Sequence, residues 1–310
     1  QHIVHSLGDP GPWHGLAKEA AEAAAAESPQ RPEVLTLVGE VHVASAKAAA
    51  AAGRDPTADL EMAVDSLSRA AEVVPSYAAL NSLGVALRRS ASWRLGRGED
   101  PSALLERAAE AFSRATRLDP DRHHAWSNLA WVRLNQAQAV ARKGSDPEAL
   151  LESAVATFRR ASAAAPERSV PHNNLGMALT ELAGARRGFG VDMVSDLEEA
   201  TESFVRAIDL YPEYTYAHNN LGNVLTMRAR LALHRGEDPS PLLDRAEKEL
   251  WIATERAGYA TPWFNLGVLE GVRARHEVAL AHDPTPVLRR GRAHLARGLD
   301  LRPGVAAALA

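Results

Sequence analysis

Asparagine side chains recur at a nearly constant interval along this 310-residue chain. Asn128, Asn174, Asn220 and Asn265 are separated by 46, 46 and 45 residues, and each directly precedes a leucine. A primary amide carries one carbonyl acceptor and two N–H donors, so it can pair with both polar groups of a peptide bond without contacting peptide side chains. If the fold places them on one surface, these asparagines predict a row of sites for an extended polypeptide backbone.

Other side chains accompany this row at fixed offsets. A second set of asparagines stands two residues before the leucine of a repeat or follows a repeated glycine, at Asn81, Asn173, Asn219 and Asn223. Trp131 and Met177 also stand one residue after the repeated glycine or its equivalent. Aromatic and thioether side chains form adaptable apolar surfaces. We therefore include all six residues in the predicted peptide-binding site.

Other candidates for chemistry are weaker. His276 and His282 suggest a zinc-binding helix, but histidines six residues apart do not share one helical face as residues four apart do. His172 and His218 are predicted to pack between helices. The glycine-rich segment 184–190 lacks the Lys-Ser/Thr of a phosphate-binding loop and predicts a turn. We expect no catalytic residue, no metal site and no cofactor.

Composition favours helices and disfavours several classes of partner. The chain has 60 alanines, 16 aromatic residues and no cysteine, and its net charge is −4. Alanine is the best helix former, and the absence of a basic run disfavours nucleic acid and charged membrane surfaces. No apolar run approaches about 18 residues and no signal-peptide pattern is present, so we expect a soluble cytoplasmic protein. The pairs Arg88-Arg89 and Arg186-Arg187 are predicted to be solvated helix surface.

A repeat of 45 or 46 residues places all of these side chains. An aspartate, usually followed by proline, recurs at Asp9, Asp55, Asp100, Asp146, Asp192, Asp238 and Asp283. A helix-stopping residue stands 20 residues after each, at Pro29, Pro75, Pro120, Pro166, Pro212, Gly258 and Pro303. A small residue precedes six of the aspartates by 16 residues, at Gly39, Gly84, Ala130, Gly176, Gly222 and Gly267. Three markers in phase indicate one structural repeat.

Each repeat predicts two helices, which we call A and B. Helix A ends at a glycine preceded by basic residues, as in Lys143-Gly144, a pattern typical of a helix C-terminus. Helix B begins at Asp-Pro, where the aspartate accepts free N–H groups and proline fits the first turn. Small and large apolar residues then recur on one face of helix B, as in Ala108, Phe112 and Ala115, and predict its buried side.

These residues resemble the tetratricopeptide repeat (TPR) signature. Leu-Gly in helix A, Ala, Phe and Ala in helix B, and a closing proline match it over nearly the whole chain, and Trp126 and Trp263 match the family's early tryptophan. The resemblance implies an all-α, right-handed solenoid of antiparallel helix pairs with about 13 helices. A family repeat has about 34 residues. The surplus lies at the A–B turn and predicts helices near 20 residues, about 30 Å long.

The repeat divides the chain into a single predicted TPR-like array over residues 1–310. Its parts are a leading helix B at 9–29, six repeats at 30–75, 76–120, 121–166, 167–212, 213–258 and 259–303, and a truncated stub at 304–310. The lone leading helix, the stub and the initial Gln1 predict a fragment of a longer protein. An unstacked repeat exposes its apolar face, so end-to-end self-association is also expected.

In a TPR solenoid the A helices line the concave face, which includes the residue before the leucine of Leu-Gly. At this position the asparagines resemble the ladder in the TPR region of the O-linked N-acetylglucosamine transferase family, which holds peptide backbones. The resemblance implies that a protein or extended peptide binds in the groove. The alternative is that the asparagines hydrogen-bond neighbouring helix backbone and only stabilise the fold. The sequence leaves both interpretations open.

The segment from Asn219 to Ala246 also resembles the TPR arrays that follow the catalytic domain of bacterial Ser/Thr protein kinases. The chain itself carries no kinase motif. The resemblance implies a non-catalytic scaffold in a regulatory or substrate-recruiting region, with a kinase catalytic domain as a partner in cis. Two alternatives stay open. One is an oligomerisation module that associates through its ends, and the other is an enzyme in the groove, which the amide and aliphatic inward residues disfavour.

Overall fold

The computed structural model describes residues 11–186, 191–256 and 258–302, apart from the side chains of 11–14, 191 and 192. These described residues form thirteen α-helices and no strand. The helices are α1 (Gly11–Glu27), α2 (Pro32–Ala51), α3 (Thr57–Val73), α4 (Tyr77–Gly96), α5 (Ser102–Leu118), α6 (His123–Arg142), α7 (Glu148–Ala163), α8 (Ser169–Ala185), α9 (Val191–Leu210), α10 (Thr215–His234), α11 (Ser240–Thr254), α12 (Thr261–Ala279) and α13 (Thr285–Asp300). The all-α prediction is confirmed.

The chain forms two compact units, which we call the N-terminal unit, up to Ala164, and the C-terminal unit, from Ala165. In the N-terminal unit, α2 pairs with α3, α4 with α5, and α6 with α7. Each pair then packs against the next, since α3 contacts α4 and α5 contacts α6, and α1 covers α2. The A helices α2, α4 and α6 also contact one another in succession, so they form one layer of this unit.

The C-terminal unit repeats the same arrangement within itself. Here α8 pairs with α9, α10 with α11, and α12 with α13, while α9 contacts α10 and α11 contacts α12. The A helices α8, α10 and α12 contact in succession. The predicted array over 1–310 and its six-repeat division stay predictions. Residues 9 and 10 of the predicted leading helix, Pro303 and the predicted stub at 304–310 lie outside the described residues.

The core of each helix pair is the predicted face of small and large apolar residues. Phe112 is fully buried in α5 between Ala108 and Ala115, which are also fully buried. Gly84 of α4 faces it, and a Cβ atom on Gly84 would lie 2.6 Å from the Phe112 ring. Gly176 and Phe204 meet in the same way, at 2.7 Å. At Gly84 and Gly176 the phenylalanine ring thus occupies the place that a side chain on the glycine would take, whereas the third repeat has Ala130 at this position.

The Asp-Pro segments cap the B helices as predicted. The Thr57 N–H donates to Asp55 Oδ1 at 2.9 Å, and the Ser102 N–H donates to Asp100 Oδ1 at 3.1 Å. Hydrogen bonds from the Ser102 hydroxyl and backbone N–H lower the pKa of Asp100 to about 2. Each aspartate therefore stays ionised over the neutral range and satisfies an N–H that the first helical turn leaves free.

The A helices end in a left-handed residue, which is glycine in four described repeats and alanine in one. Gly236 has φ 74°, whereas Ala281 holds φ 59° at the matching turn. Because a Cβ atom makes this region costly, we expect Ala281→Gly to raise the free energy of unfolding by about 0.5–1 kcal/mol. Gly236→Ala is the matched control and should lower it by about 1 kcal/mol. Urea denaturation of both variants checks the opposite signs, and a loss for Ala281→Gly would contradict this interpretation.

One described helix, α2, is long and apolar enough to cross a membrane by length and composition alone. In this fold it packs against α1, α3 and α4. Its buried face includes Leu35, Val38 and Ala46, and its buried His42 bonds through Nδ1 to Asp59 Oδ1 at 2.8 Å. These contacts bury one face of α2 within the N-terminal unit.

The prediction that the arginine pairs are solvated surface is wrong for the three described members. Arg88 and Arg89 are half-buried in α4, and the Nε atoms of both are buried. Arg186 forms an ion pair of 2.6 Å with Asp196, and both side chains are largely covered. The reason is geometric, because an A helix packs against helices on more than one side and offers little open surface. Arg187 lies outside the described residues.

Candidate peptide-binding surface of the A helices

The predicted asparagines join successive A helices through side-chain amide pairs. In the C-terminal unit, Asn220 Nδ2 of α10 donates to Asn173 Oδ1 of α8 at 3.0 Å. Asn265 Nδ2 of α12 donates to Asn219 Oδ1 of α10 at 2.9 Å. The structure thus brings the two predicted asparagine positions together, with the residue before the leucine as donor and the residue one earlier, on the preceding A helix, as acceptor.

The N-terminal unit contains the same interaction. Asn128 Nδ2 of α6 donates to Asn81 Oδ1 of α4 at 3.2 Å. One helix earlier, the Ser82 hydroxyl of α4 donates to Glu40 Oε1 of α2 at 2.8 Å, so a different polar pair occupies the equivalent place. Sequence reasoning missed Glu40, although it follows Gly39 at the position that Trp131 and Met177 hold in later repeats.

These amide pairs differ from both interpretations that the sequence left open. The asparagines bond to one another between helices, rather than to helix backbone. The acceptors Asn173 and Asn219 are only 3% and 4% exposed, and Asn174 is 8% exposed. The donors Asn220 and Asn265 are half-buried. Because a primary amide has two N–H groups and two lone pairs, each donor retains hydrogen-bonding capacity on its open side.

The remaining predicted residues surround these amides. Met177 is half-buried and its sulfur accepts from Asn173 Nδ2 at 3.5 Å. Asn223 and Asn220 line, with Met177, a cavity of about 160 Å³ between α8, α9 and α10. The Phe204 ring also lines this cavity. In the C-terminal unit, the predicted site therefore includes a small pocket beside the amide row, wide enough for one side chain of a bound segment.

In the N-terminal unit, Trp131 of α6 supplies the apolar surface. Its ring lies edge-on to the buried Phe158 ring, with centroids 5.8 Å apart and planes at 88°, a favoured aromatic geometry. Trp131 itself is half-buried, so part of the indole stays open beside Asn128. An exposed indole next to an amide matches the mixed apolar and polar character of peptide-binding surfaces.

The predicted packing role of His172 and His218 has a specific form. The His218 ring bonds through Nε2 to the Pro212 carbonyl at 2.8 Å, and the His172 ring bonds to the Pro166 carbonyl at 3.0 Å. Trp126 donates its indole N–H to the Pro120 carbonyl at 2.8 Å. A ring N–H on helix A thus satisfies the carbonyl of the helix-stopping proline that precedes it by six residues.

His218 also forms a buried ion pair with Glu249 of α11, at 2.6 Å from Nδ1 to Oε2. Burial opposes the charged ring, but the hydrogen bonds to Glu249 and Pro212 outweigh it and raise the pKa of His218. A raised folded-state pKa stabilises the fold fully below the unfolded value of about 6.5, and this contribution is lost as pH rises through the folded pKa.

We therefore expect the free energy of unfolding to fall as pH rises above about 6.5, and His218→Gln to remove much of that fall. Urea denaturation at a series of pH values on both sides of about 6.5 measures it. Glu249→Gln should have a similar effect because it removes the carboxylate that pairs with His218. A His218→Gln variant with the wild-type pH profile would contradict the assigned role of the ion pair.

The other histidines of the sequence analysis are not brought together as metal ligands. His282 Nδ1 lies 2.9 Å from Glu277 Oε2, whereas His276 Nε2 lies 3.3 Å from the Ser240 hydroxyl. These partners belong to separate contacts. Of the predicted turn at 184–190, Gly184 and Ala185 are the last residues of α8, and residues 187–190 lie outside the described residues.

Comparison with known proteins supports the fold. No protein-family model matches the chain, and no curated protein matches it. The C-terminal part of a TPR repeat-containing protein from Cytophaga hutchinsonii aligns over 94% of this chain and 91% of its own, at 13% identity and a TM-score of 0.55. Pseudomonas aeruginosa pilF aligns over 86% and 92%, at 15% identity and a TM-score of 0.52. The chain therefore has a TPR-like fold of helix pairs.

Proposed function

We propose that this chain is a non-catalytic protein-interaction scaffold that holds an extended polypeptide segment along its A helices. The observation that carries the proposal is the amide pairing within each unit, in which the donors are half-exposed: Asn128 in the N-terminal unit, and Asn220 and Asn265 in the C-terminal unit. An amide fixed on one side by a neighbouring amide is held in one orientation. Its free N–H and carbonyl lone pair can then meet a peptide bond at little entropic cost.

The surroundings of the amides support a peptide over a small polar ligand. The half-buried Trp131 in the N-terminal unit and Met177 in the C-terminal unit provide apolar contact beside the amides, and the cavity beside Asn223 accepts a single side chain. Val268, one turn along α12 from Asn265, is 56% exposed. Backbone pairing by amides with shallow apolar contacts favours extended segments of varied sequence.

The location of the bound segment can be tested by photo-crosslinking. Peptides of about a dozen residues would first be selected from a random display library on the purified chain. A photoreactive residue placed at Val268 of α12 should then cross-link to a selected peptide, whereas one at Lys248 of α11 should not. Both positions are exposed, so reaction at Lys248 alone, or failure to select any binder, would contradict binding on the A helices.

We also propose a cellular context for this scaffold. The sequence resemblance of 219–246 supports a regulatory or substrate-recruiting region of a bacterial Ser/Thr protein kinase, with the kinase catalytic domain as a partner in cis. A cytoplasmic location follows from that context and from the composition of the chain. Sequencing the complete reading frame tests the proposal directly, since it requires a kinase catalytic domain upstream in frame.

A second candidate function is end-to-end association. On α13, the last described helix, Leu288 is 52% exposed and Leu295 is 41% exposed. Exposed apolar side chains on a terminal repeat favour stacking against another copy. Light scattering over a range of protein concentrations should then show mass increasing with concentration, and Leu288→Glu should reduce it. A constant monomer mass would remove this candidate without affecting peptide binding.

A further inference from the structure

Helix α4 carries two neighbouring guanidinium groups that have no counterion among the described residues. Arg88 and Arg89 are half-buried, and the Nε atoms of both are buried without a hydrogen-bond partner. Burial of a cation without a partner is costly, and proteins normally offset it with a carboxylate. Burial, and then repulsion by Arg89, lower the pKa of Arg88.

Both arginines line an open cavity of about 260 Å³ between α2, α3 and α4. Ser92 and Trp93 of α4 also line it, and the remaining lining residues are apolar side chains of α2 and the start of α3. No carboxylate lines this cavity. Its wall therefore combines two positive groups, one hydroxyl and an indole with an apolar floor.

The two acidic residues that directly precede the lining residues Pro56 and Leu60 have other partners. Asp55 accepts hydrogen bonds from the backbone and hydroxyl of Thr57 and lies 4.0 Å from an Arg97 nitrogen. Asp59 bonds to Lys18, His42 and Ser45, and these partners outweigh burial to lower its pKa to about 2. The positive charge of the arginine cavity is thus left for a ligand to balance.

A second cavity of about 440 Å³ adjoins the first, and Leu60 and Trp93 line both. The indole Nε1 of Trp93 is buried without a hydrogen-bond partner. Val64 and Leu104 provide apolar surface in this larger cavity. Two acidic and two basic residues also line it, Glu61 and Asp65 with Arg94 and Arg107, so it has no excess charge of either sign.

We propose that the two cavities form one site for a small organic phosphate, with the phosphoryl group at Arg88 and Arg89 and an apolar or aromatic group beside Trp93. A phosphoryl group carries about −1.5 to −2 charges and three acceptor oxygens near neutral pH, which matches two guanidinium groups better than a carboxylate does. Guanidinium donors bind phosphate oxygens in a fixed, paired geometry. This site is independent of the proposed peptide surface.

Isothermal titration with inorganic phosphate and with phenyl phosphate tests the site. We expect saturable binding of both, with phenyl phosphate at least about fivefold tighter because its ring contacts the larger cavity. Arg88→Gln with Arg89→Gln should weaken both by at least about tenfold. The exposed Arg230 and Arg235 give a charge-matched control, and Arg230→Gln with Arg235→Gln should leave both affinities unchanged.

Two further measurements separate a ligand site from a structural role of the arginines. Thermal unfolding of the ligand-free double variant should occur at or above the wild-type temperature, because it removes two cations that lack a counterion. Trp93→Leu should abolish the preference for phenyl phosphate while retaining phosphate binding. Absence of saturable binding, equal binding by the double variant, or a destabilised ligand-free double variant would each overturn the proposal.

Discussion

Phe112→Ala is expected to lower the free energy of unfolding by about 3–5 kcal/mol, the largest stability effect that the fold predicts. The Phe112 ring is fully buried and fills the space that Gly84 leaves between α4 and α5. Removing it leaves a cavity that the glycine cannot fill, since Gly84 has no side chain to relax inward. Urea denaturation followed by circular dichroism measures the loss.

Leu118→Ala on the same helix is the matched control. Leu118 is 52% exposed, so its truncation should change the free energy of unfolding by no more than about 0.5 kcal/mol. Similar losses for the two variants would show that the alternation of small and large residues along α5 does not define the core. Hydrogen exchange of amides in α4 and α5 would place the effect within the N-terminal unit.

The second large effect concerns the amide row. Asn220 and Asn265, the half-exposed donors of the amide pairs, are called the outer asparagines. Replacing both, Asn220→Ala with Asn265→Ala, should weaken the binding of a selected peptide by roughly 10- to 100-fold. Each change removes the half-exposed amide that faces the ligand. It also leaves Asn173 or Asn219 without its donor, so a loss of stability is expected alongside the loss of affinity.

Asn173 and Asn219, the buried acceptors of these pairs, are called the inner asparagines. They provide the control for the loss of stability. Asn173→Ala with Asn219→Ala breaks the same amide pairs from the buried side and keeps the outer amides. We expect this variant to lose comparable stability but less peptide affinity than the first variant, because the outer amides remain although their orientation is no longer fixed. Fluorescence anisotropy measures the peptide affinity of both double variants, and urea denaturation measures their free energy of unfolding. If affinity falls in proportion to stability in both, the amides act only as structural links between helices.

The fold could be predicted because each repeat carries local signals that agree with one another. Asp-Pro marks the start of a B helix, and the observed caps at Asp55 and Asp100 form the expected bonds. The small and large residues of α5 predict its buried face, and the structure adds that Phe112 on that face lies against Gly84 of α4. The pattern of one repeat does not show how a turn adapts when its glycine is replaced. The left-handed conformation of Ala281 is therefore known only from the structure.

The site could be predicted only in part. Spacing alone places Asn173 and Asn220 on neighbouring A helices, but their mutual hydrogen bond depends on the offset between packed helices, which local pattern does not fix. Asn173 and Asn220 are 47 residues apart, as are Asn81 and Asn128. This shared interval is the sequence signal that indicates the amide pairs. For Arg88 the prediction is wrong. Charge predicts an exposed side chain, whereas packing of α4 among its neighbours buries much of this one.

The central claim, that the amide row binds peptide backbone, is tested most directly with chemically modified peptides. A selected peptide would be compared with a version carrying scrambled side chains and with a set carrying single N-methylated peptide bonds. We expect the scrambled peptide to bind within a fewfold of the original, and N-methylation at central positions to weaken binding by roughly tenfold or more. Undiminished binding of the N-methylated peptides, with loss on scrambling, would contradict backbone recognition by the asparagines.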